Sequence, residues 1–240
     1  MSNANFSIAI QHTPDDSNRR SWVKSMLEKF RAEQPDLCVA VVADGERQGS
    51  WPTYLRTLRA TAGAKHHLVL NDDITVCQDF LASVDKVIQA RPGHIISLYT
   101  NSPWVPTARA RGQAWIEKSL VASPALIWPT ALIHEFIDWE RFHIRNDFHW
   151  EDARISMWLH KTRRPAFATV PSLAQHLGCQ ASLVGLNGRS KVATWYVGDH
   201  RSALGIDWSR GLKSTTRDPA PIKREWWRYY EVPSLTTQPS

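Results

Sequence analysis

The chain has 240 residues with 42% hydrophobic content, enough to bury a core in one large domain, or one domain with a small appendage, without disulfide staples. No apolar run approaches the roughly 20 residues of a membrane span, and the N-terminus has no basic signal region, which predicts a cytoplasmic protein. Three cysteines outside any Cys-x-x-Cys spacing indicate reduced thiols.

Charge and aromatic content are unevenly distributed. Lysine and arginine exceed aspartate and glutamate by 29 − 23 = 6, with basic clusters at 154–164 and 210–228. Such surfaces attract polyanions, although a solvated basic face without a partner is equally consistent with them. The chain has 12 tryptophans, whose flat rings suit sugar faces and nucleobases when they are not buried in a core.

The chain begins with alternating strand-like and helix-like segments. Residues 6–10 read as a first strand, and the apolar positions of 22–30 share one helical face that ends before Pro35. Residues 37–43 form a continuous Val-rich run, which predicts a buried parallel strand.

A third unit starts at Pro52, which suits a first helical turn, and stops at Gly63. Residues 66–70 are the next strand, and its carboxyl end leads into residues 71–73. Ligands of open α/β sheets bind in the crevice at such strand ends. The remaining predicted elements are a helix at 80–88, a strand at 94–99, a lid or acceptor loop at 101–113, a strand at 120–128, helices at 131–139 and 149–160, and a strand at 167–173.

The alternation predicts an α/β, Rossmann-like fold, with a mostly parallel central sheet flanked by helices. The chemistry concentrates in Asn71, Asp72 and Asp73. Two adjacent acids at the end of an apolar strand repel each other unless a cation such as Mg²⁺ or Mn²⁺ binds them. The alternative is a solvated strand-to-turn junction.

Residues 67–74 resemble the D-x-D segment of GT-A-fold glycosyltransferases, in which a hydrophobic strand ends in two or three acids. The resemblance implies that Asp73 binds the metal and that Asn71, in place of the usual first aspartate, hydrogen-bonds the ribose. It also implies that Asp72 belongs to the nucleotide site.

Two further segments are similar to this family. Residues 149–156 resemble the acidic pair that opens a helix, which implies that Asp152, or Glu151 in its place, is the catalytic base of an inverting enzyme. Residues 170–178 resemble a Gln-His-Gly-like stretch, which implies that His176 is a late metal ligand. The alternatives are a helix-capping acid and a hydrogen-bonded buried histidine.

The resemblance also implies a nucleotide site on the first three strands. Its residues would lie in the loop after the first strand, at the end of the second strand and in the segment that closes over the base: Gln11, His12, Thr13, Arg19, Asp44 and Tyr54.

These features predict a metal-dependent glycosyltransferase of bacterial or phage type that uses a UDP- or GDP-sugar with Mn²⁺ or Mg²⁺. Residues 1–180 would form the GT-A-like catalytic domain, and 181–240 a basic, aromatic extension that packs on or near the active site. The acceptor could be a hydroxymethylated pyrimidine in DNA, a surface saccharide or a small molecule. Nucleotidyl transfer and a non-catalytic nucleic-acid-binding protein are the competing interpretations.

Overall fold

A computed structural model describes residues 6–177 and 191–231, which form a central eight-stranded sheet, a small two-stranded sheet and flanking helices. The strands are β1 (Phe6–His12), β2 (Val39–Ala43), β3 (His66–Asn71), β4 (Ile74–Val76), β5 (Ile95–Ser97), β6 (Trp115–Lys118), β7 (Ala125–Pro129), β8 (Ala166–Thr169), β9 (Ala174–His176) and β10 (Thr216–Asp218). The α-helices are α1 (Ser17–Glu33), α2 (Ser50–Arg59), α3 (Phe80–Ala90), α4 (Val105–Ala110), α5 (Thr130–His143) and α6 (Glu151–Thr162), and a 3-10 helix spans Arg224–Tyr229.

The large sheet has the strand order β10-β6-β8-β5-β7-β3-β1-β2. β1 pairs in parallel with β2 and β3, β5 with β8, and β6 with β10, whereas β7 is antiparallel to both of its neighbours. The predicted fold class, a mostly parallel sheet between helices, is confirmed. β4 and β9 form the separate antiparallel pair, which the sequence pattern did not predict because each strand has only three residues.

Two hydrophobic clusters cover the two faces of the sheet. Successive side chains of a strand point to opposite faces, so Leu68 and Leu70 pack with α1 and α3, while Val69 packs with α2, α5 and α6. Helix α1 is fixed at its start by the Asp16 carboxylate, which accepts hydrogen bonds from the backbone N–H groups of Asn18 and Arg19 at 2.8 and 3.1 Å.

Two local predictions were wrong. β2 is parallel, as predicted, but it is an edge strand of the large sheet, and its Val41 side chain is 41% exposed rather than buried. An edge strand lacks a second neighbour, and its Val-rich run alone does not distinguish it from an interior strand. The segment 101–113, predicted as a loop, contains α4, whose buried residues Val105 and Ala108 pack on β6.

The C-terminal segment is integrated with the sheet. β10 adds the outermost strand beside β6, and the 3-10 helix packs Trp226 against a cluster that includes Phe148 and Met157. The predicted domain boundary at residue 180 lies outside the described residues, as does Cys179. Cys38 is exposed and Cys77 is buried, both as free thiols. No helix in the described segments is long and apolar enough to cross a membrane.

Candidate functional site

A cleft of about 1960 Å³ opens at the carboxyl ends of β1 and β3. Its first wall comes from loops that follow β1, β2 and β3, and its floor includes the start of α6. This position agrees with the rule that open α/β sheets bind ligands at strand carboxyl ends. Ten of the twelve predicted site residues line it: Gln11, Thr13, Arg19, Asp44, Asn71, Asp72, Asp73, Glu151, Asp152 and His176.

Asp72 is buried and is committed to protein partners. Its Oδ2 accepts a hydrogen bond from the Thr13 backbone N–H at 2.6 Å and lies 3.0 Å from His12 Nδ1, while its Oδ1 pairs with Arg19. Burial raises the pKa of Asp72 above its ordinary value, and the Thr13 N–H and the Arg19 charge oppose that rise. Asp72 therefore organises the loop after β1 and holds Arg19.

Asp73 contacts Arg19 and His176. Its Oδ2 lies 3.1 Å from Arg19 Nη2 and 3.3 Å from His176 Nε2. Burial acts to raise the pKa of Asp73, but His176, Arg19 and the charge of Lys191 outweigh burial, and the pKa is lowered. Asp73 is held as a carboxylate at the cleft surface.

The donor chemistry at Asp73 and His176 fits Mn²⁺ or Mg²⁺, since carboxylate oxygen and imidazole nitrogen are both ligands of such ions. Asp73 Oδ1 is buried and has no hydrogen-bond partner among residues 6–177 and 191–231. No group of three or more His, Cys, Asp or Glu side chains with metal-binding geometry occurs within those segments. An ion here would take two protein ligands and complete its coordination with oxygens of a bound ligand or water.

Two more oxygens of the same wall lack donors. Gln11 Oε1 and Asn71 Oδ1 are buried without a hydrogen-bond partner in the described segments, although Gln11 Nε2 donates to the Ser50 carbonyl at 3.0 Å. Buried polar groups are nearly always satisfied in folded proteins, so these acceptors can take hydrogen bonds from a bound ligand or from ordered water.

The acidic pair Glu151 and Asp152 begins α6 and accepts hydrogen bonds from Ser50 and Ser123. Glu151 Oε2 accepts from Ser50 Oγ at 2.5 Å and its Oε1 from Ser123 Oγ at 3.3 Å. Asp152 Oδ1 accepts from the Ser123 backbone N–H at 2.7 Å. The helix N-terminus also favours negative charge at this point.

Burial raises the pKa of both carboxyls. Burial raises the pKa of Glu151 to about 7, and the neighbouring charge of Asp152 adds to the rise. Burial also raises the pKa of Asp152, against hydrogen bonds from Ser123. A carboxyl with a pKa near 7, such as that of Glu151, is suited to general acid or base catalysis near neutral pH.

Tyr54 and His12 do not line the cleft. Tyr54, expected to close over a nucleobase, is 0% exposed and accepts a hydrogen bond from Trp128 Nε1 at 3.3 Å inside the second core cluster. Tyr54 lies on the inward face of α2. Its position in the sequence alone did not show which face of the helix it occupies. His12, expected to touch the nucleotide, instead lies behind Asp72.

Asp44 lines the cleft but also shapes its rim. Its two carboxylate oxygens accept from the backbone N–H groups of Gln48 and Gly49 at 2.8 and 3.0 Å. Gly49 has φ of 99°, a value that suits glycine, so this turn is determined by the local sequence.

The residues of the cleft that sequence reasoning missed include Ser50, Tyr99, Ser123 and Lys191. The Tyr99 hydroxyl donates to the Lys191 carbonyl, which ties the segment after residue 190 to the loop after β5. The Lys191 charge acts on both Asp73 and Asp152. Each of these contacts is long-range, so no local motif signals it.

Some basic and aromatic side chains of these clusters are used inside the fold, whereas others are exposed, namely Lys161, Arg163, Arg210, Lys213, Arg217, Lys223, Arg224 and Arg228. Arg154 is fully buried, pairs with Glu140, and lies 4.4 Å from the centre of the Trp51 ring. Tyr229 stacks on Phe148 at 4.5 Å between ring centres. Arg154 therefore stabilises the packing of α6 on α5 and α2, and Tyr229 stabilises the packing of the C-terminal segment on the loop between α5 and α6.

No protein-family model and no curated protein matches the chain. Among solved structures it is similar to S. aureus TarS 1-349, with 11% identity and a TM-score of 0.45 over 69% of this chain and 57% of that chain. The complex of TarS 1-349 with UDP-GlcNAc gives 10% identity and 0.42 over 69% and 55%, and the complex with UDP gives 11% and 0.42 over 69% and 58%. The chain thus spans a little over half of the TarS structures, and TM-scores below 0.5 carry no inference about activity.

Proposed function

We propose that this protein is a glycosyltransferase that moves a sugar from a nucleoside diphosphate sugar to an acceptor hydroxyl. The observation that carries the proposal is the set of three unsatisfied buried oxygens, on Gln11, Asn71 and Asp73, at the carboxyl ends of β1 and β3. A nucleotide sugar brings matching groups: hydroxyl and base N–H donors for the two amides, and a diphosphate whose counter-ion would meet the carboxylate.

The diphosphate has a cationic partner in the same wall. Arg19 is held by Asp72 and Asp73, which keep its guanidinium beside the metal-binding carboxylate. A guanidinium is suited to phosphate oxygens because it offers several fixed N–H donors. Asp73 and His176 would hold Mn²⁺ or Mg²⁺, which when bound stabilises the negative charge of a leaving diphosphate.

The transfer step uses the acidic pair at the start of α6. The acceptor oxygen forms a bond to the anomeric carbon of the sugar, and the bond from that carbon to the diphosphate oxygen breaks. The leaving group keeps the bonding electron pair, and the acceptor's proton passes to a carboxylate. Asp152 is the proposed base, with Glu151 beside it as the alternative, and attack opposite the leaving group inverts the anomeric carbon.

Other reaction classes fit the cleft less well. Two-metal nucleotidyl transfer needs more carboxylates than this wall offers, because Asp72 is already bound to Thr13, His12 and Arg19. A purely nucleic-acid-binding role gives no function to the carboxylates Asp73, Glu151 and Asp152 that line the cleft, which would repel phosphate groups.

The proposal is tested by calorimetric titration of the protein with UDP and GDP, with and without Mn²⁺, followed by measurement of nucleotide release from UDP- and GDP-sugars. Nucleotide binding that strengthens with Mn²⁺, together with slow hydrolysis of at least one nucleotide sugar, is expected. If neither UDP nor GDP binds, with or without Mn²⁺, the proposed function is wrong.

A further inference from the structure

The cleft has a second wall that the donor site does not use. We propose that this wall, formed by Ser102, Trp104, Lys118, Asp218 and Trp226 and here called the acceptor wall, binds a neutral saccharide that presents the acceptor hydroxyl. Saccharide binding is inferred from the side-chain contacts of this wall, while its role as the acceptor site rests on the proposed function.

The acceptor wall contains a buried, fully organised polar group. Asp218 Oδ2 accepts hydrogen bonds from Lys118 Nζ at 2.5 Å and Ser102 Oγ at 2.8 Å, and its Oδ1 accepts from the Ala220 backbone N–H at 3.2 Å. Lys118 and Asp218 are register partners on β6 and β10, so the sheet itself fixes the pair.

Lys118 has N–H groups in addition to the one that it donates to Asp218. An ammonium group has three N–H donors. Among the described residues, Lys118 donates one hydrogen bond, to Asp218. The side chains of Lys118 and Asp218 are only 11% and 6% exposed, so solvent has limited access to the pair. A sugar hydroxyl oxygen can accept from such a group without bringing a charge into the cleft.

Trp226 provides a second polar group and an apolar surface. The residue is 7% exposed and lines the cleft, and its indole N–H is buried without an acceptor in the segments 6–177 and 191–231. An indole N–H can only donate, so it requires an oxygen from a ligand or from water. Lys223 lies over the same ring, 5.6 Å from its centre.

Trp104 completes the acceptor wall with an exposed ring. It precedes α4, lines the cleft and is 40% exposed, which is unusual for a side chain with so much apolar surface. A flat aromatic surface beside hydrogen-bonding groups fits the C–H face and hydroxyl edge of a pyranose ring. The wall therefore offers both kinds of contact that a saccharide requires.

Charge separates a neutral saccharide from DNA as the occupant. The described residues that line the cleft include five basic side chains, Arg19, Arg47, Lys118, Lys191 and Lys223, and eight carboxylates, Asp15, Asp16, Asp44, Asp72, Asp73, Glu151, Asp152 and Asp218. DNA binding requires uncompensated basic groups along the path of the phosphates. The net positive charge of the chain is thus located outside this cleft.

The experiment is saturation-transfer NMR of the intact protein with a panel of neutral saccharides, namely methyl glucoside, methyl galactoside, methyl N-acetylglucosaminide and cellobiose. Trp104→Ala removes the exposed ring and Trp226→Phe removes the N–H while keeping a ring. Phe142→Ala, an exposed ring outside the cleft, and Trp227→Phe, the neighbouring indole, are the matched controls.

At least one saccharide is expected to bind, about tenfold more weakly to Trp104→Ala and about fivefold more weakly to Trp226→Phe, with both controls like wild type. Saccharide affinity should be independent of salt. No binding by any member of the panel, unchanged binding by both cleft variants, or salt-dependent binding of hydroxymethylated DNA that competes with nucleotide would overturn the inference. Nucleotide binding by the wild type is measured separately, so loss of the acceptor wall is distinguished from failure of the proposed function.

Discussion

His176 Nε2 lies 3.3 Å from Asp73 Oδ2, although more than 100 residues of sequence separate them. The small β4-β9 sheet produces this proximity, because Ile74 and His176 are register partners in it. The Leu177 backbone N–H also donates to the Asp73 carbonyl at 2.8 Å. Backbone hydrogen bonds therefore fix the distance between the two proposed metal ligands before any ion binds.

Asp73→Asn is expected to abolish the Mn²⁺-dependent part of nucleotide binding, because the amide keeps the size of the side chain but loses the charge that a divalent ion requires. Titration with UDP or GDP in the presence and absence of Mn²⁺ measures it. Asp138→Asn, an exposed aspartate on α5, is the control. If the Asp73 variant keeps its full response to Mn²⁺, Asp73 is not a metal ligand.

His176→Ala is expected to weaken Mn²⁺ binding by about tenfold or more while leaving a folded domain, since one of two protein ligands is removed. A ligand that binds only the folded state raises Tm, so Mn²⁺ with nucleotide should raise the Tm of wild type and raise that of the variant less. An equal rise in both proteins, with a lower starting Tm in the variant, would instead identify His176 as a structural histidine.

Asp152→Asn is expected to keep nucleotide and metal binding but to lose about 10²- to 10⁴-fold in transfer rate, the usual contribution of a general base. The amide preserves the hydrogen bond from Ser123 but cannot take a proton. Glu151→Gln is the matched variant, and a larger loss there would exchange the two roles. Near-normal transfer by both variants would contradict a base at the start of α6.

Glu151 gives stability a defined pH dependence. Its folded pKa of about 7 lies above the ordinary value of 4.5, so between these values the folded protein binds a proton that the unfolded chain has lost. The free energy of unfolding should therefore fall as pH rises from 4.5 through about 7.

Glu151→Gln should remove this decline, so its Tm relative to wild type should rise between pH 4.5 and about pH 8. Thermal melts across that range measure the difference, with Glu135→Gln on the surface as the control. Parallel Tm curves for wild type and Glu151→Gln would show that the carboxyl titrates normally.

The buried pair of Glu140 and Arg154 should matter to stability far more than a surface pair. Glu140→Gln leaves the Arg154 guanidinium buried without its counter-charge, at a cost of about 3–5 kcal/mol in the free energy of unfolding. Glu135→Gln, which breaks the surface pair with Arg164, should cost less than about 1 kcal/mol. Similar denaturation midpoints for the two variants would disprove the asymmetry.

The sequence by itself determined the elements that depend on local periodicity. The apolar strand at 66–70, the helix face of 22–30 and the acids Asp72 and Asp73 can all be read from the sequence, because strand and helix periods and strand-end polarity are local properties. From these followed the fold class and the end of the sheet at which the cleft lies.

Tertiary structure decided which of the predicted residues meet and which face inward. The pattern could not reveal that Tyr54 points into the core, that Arg154 is buried, or that Ser123 holds Asp152, because each fact depends on contacts between distant segments. The acceptor wall is the clearest case: Lys118 and Asp218 become neighbours only when β10 joins β6. Sheet pairing is a long-range event whose register no short motif encodes, whereas helix and strand periods are written in adjacent residues.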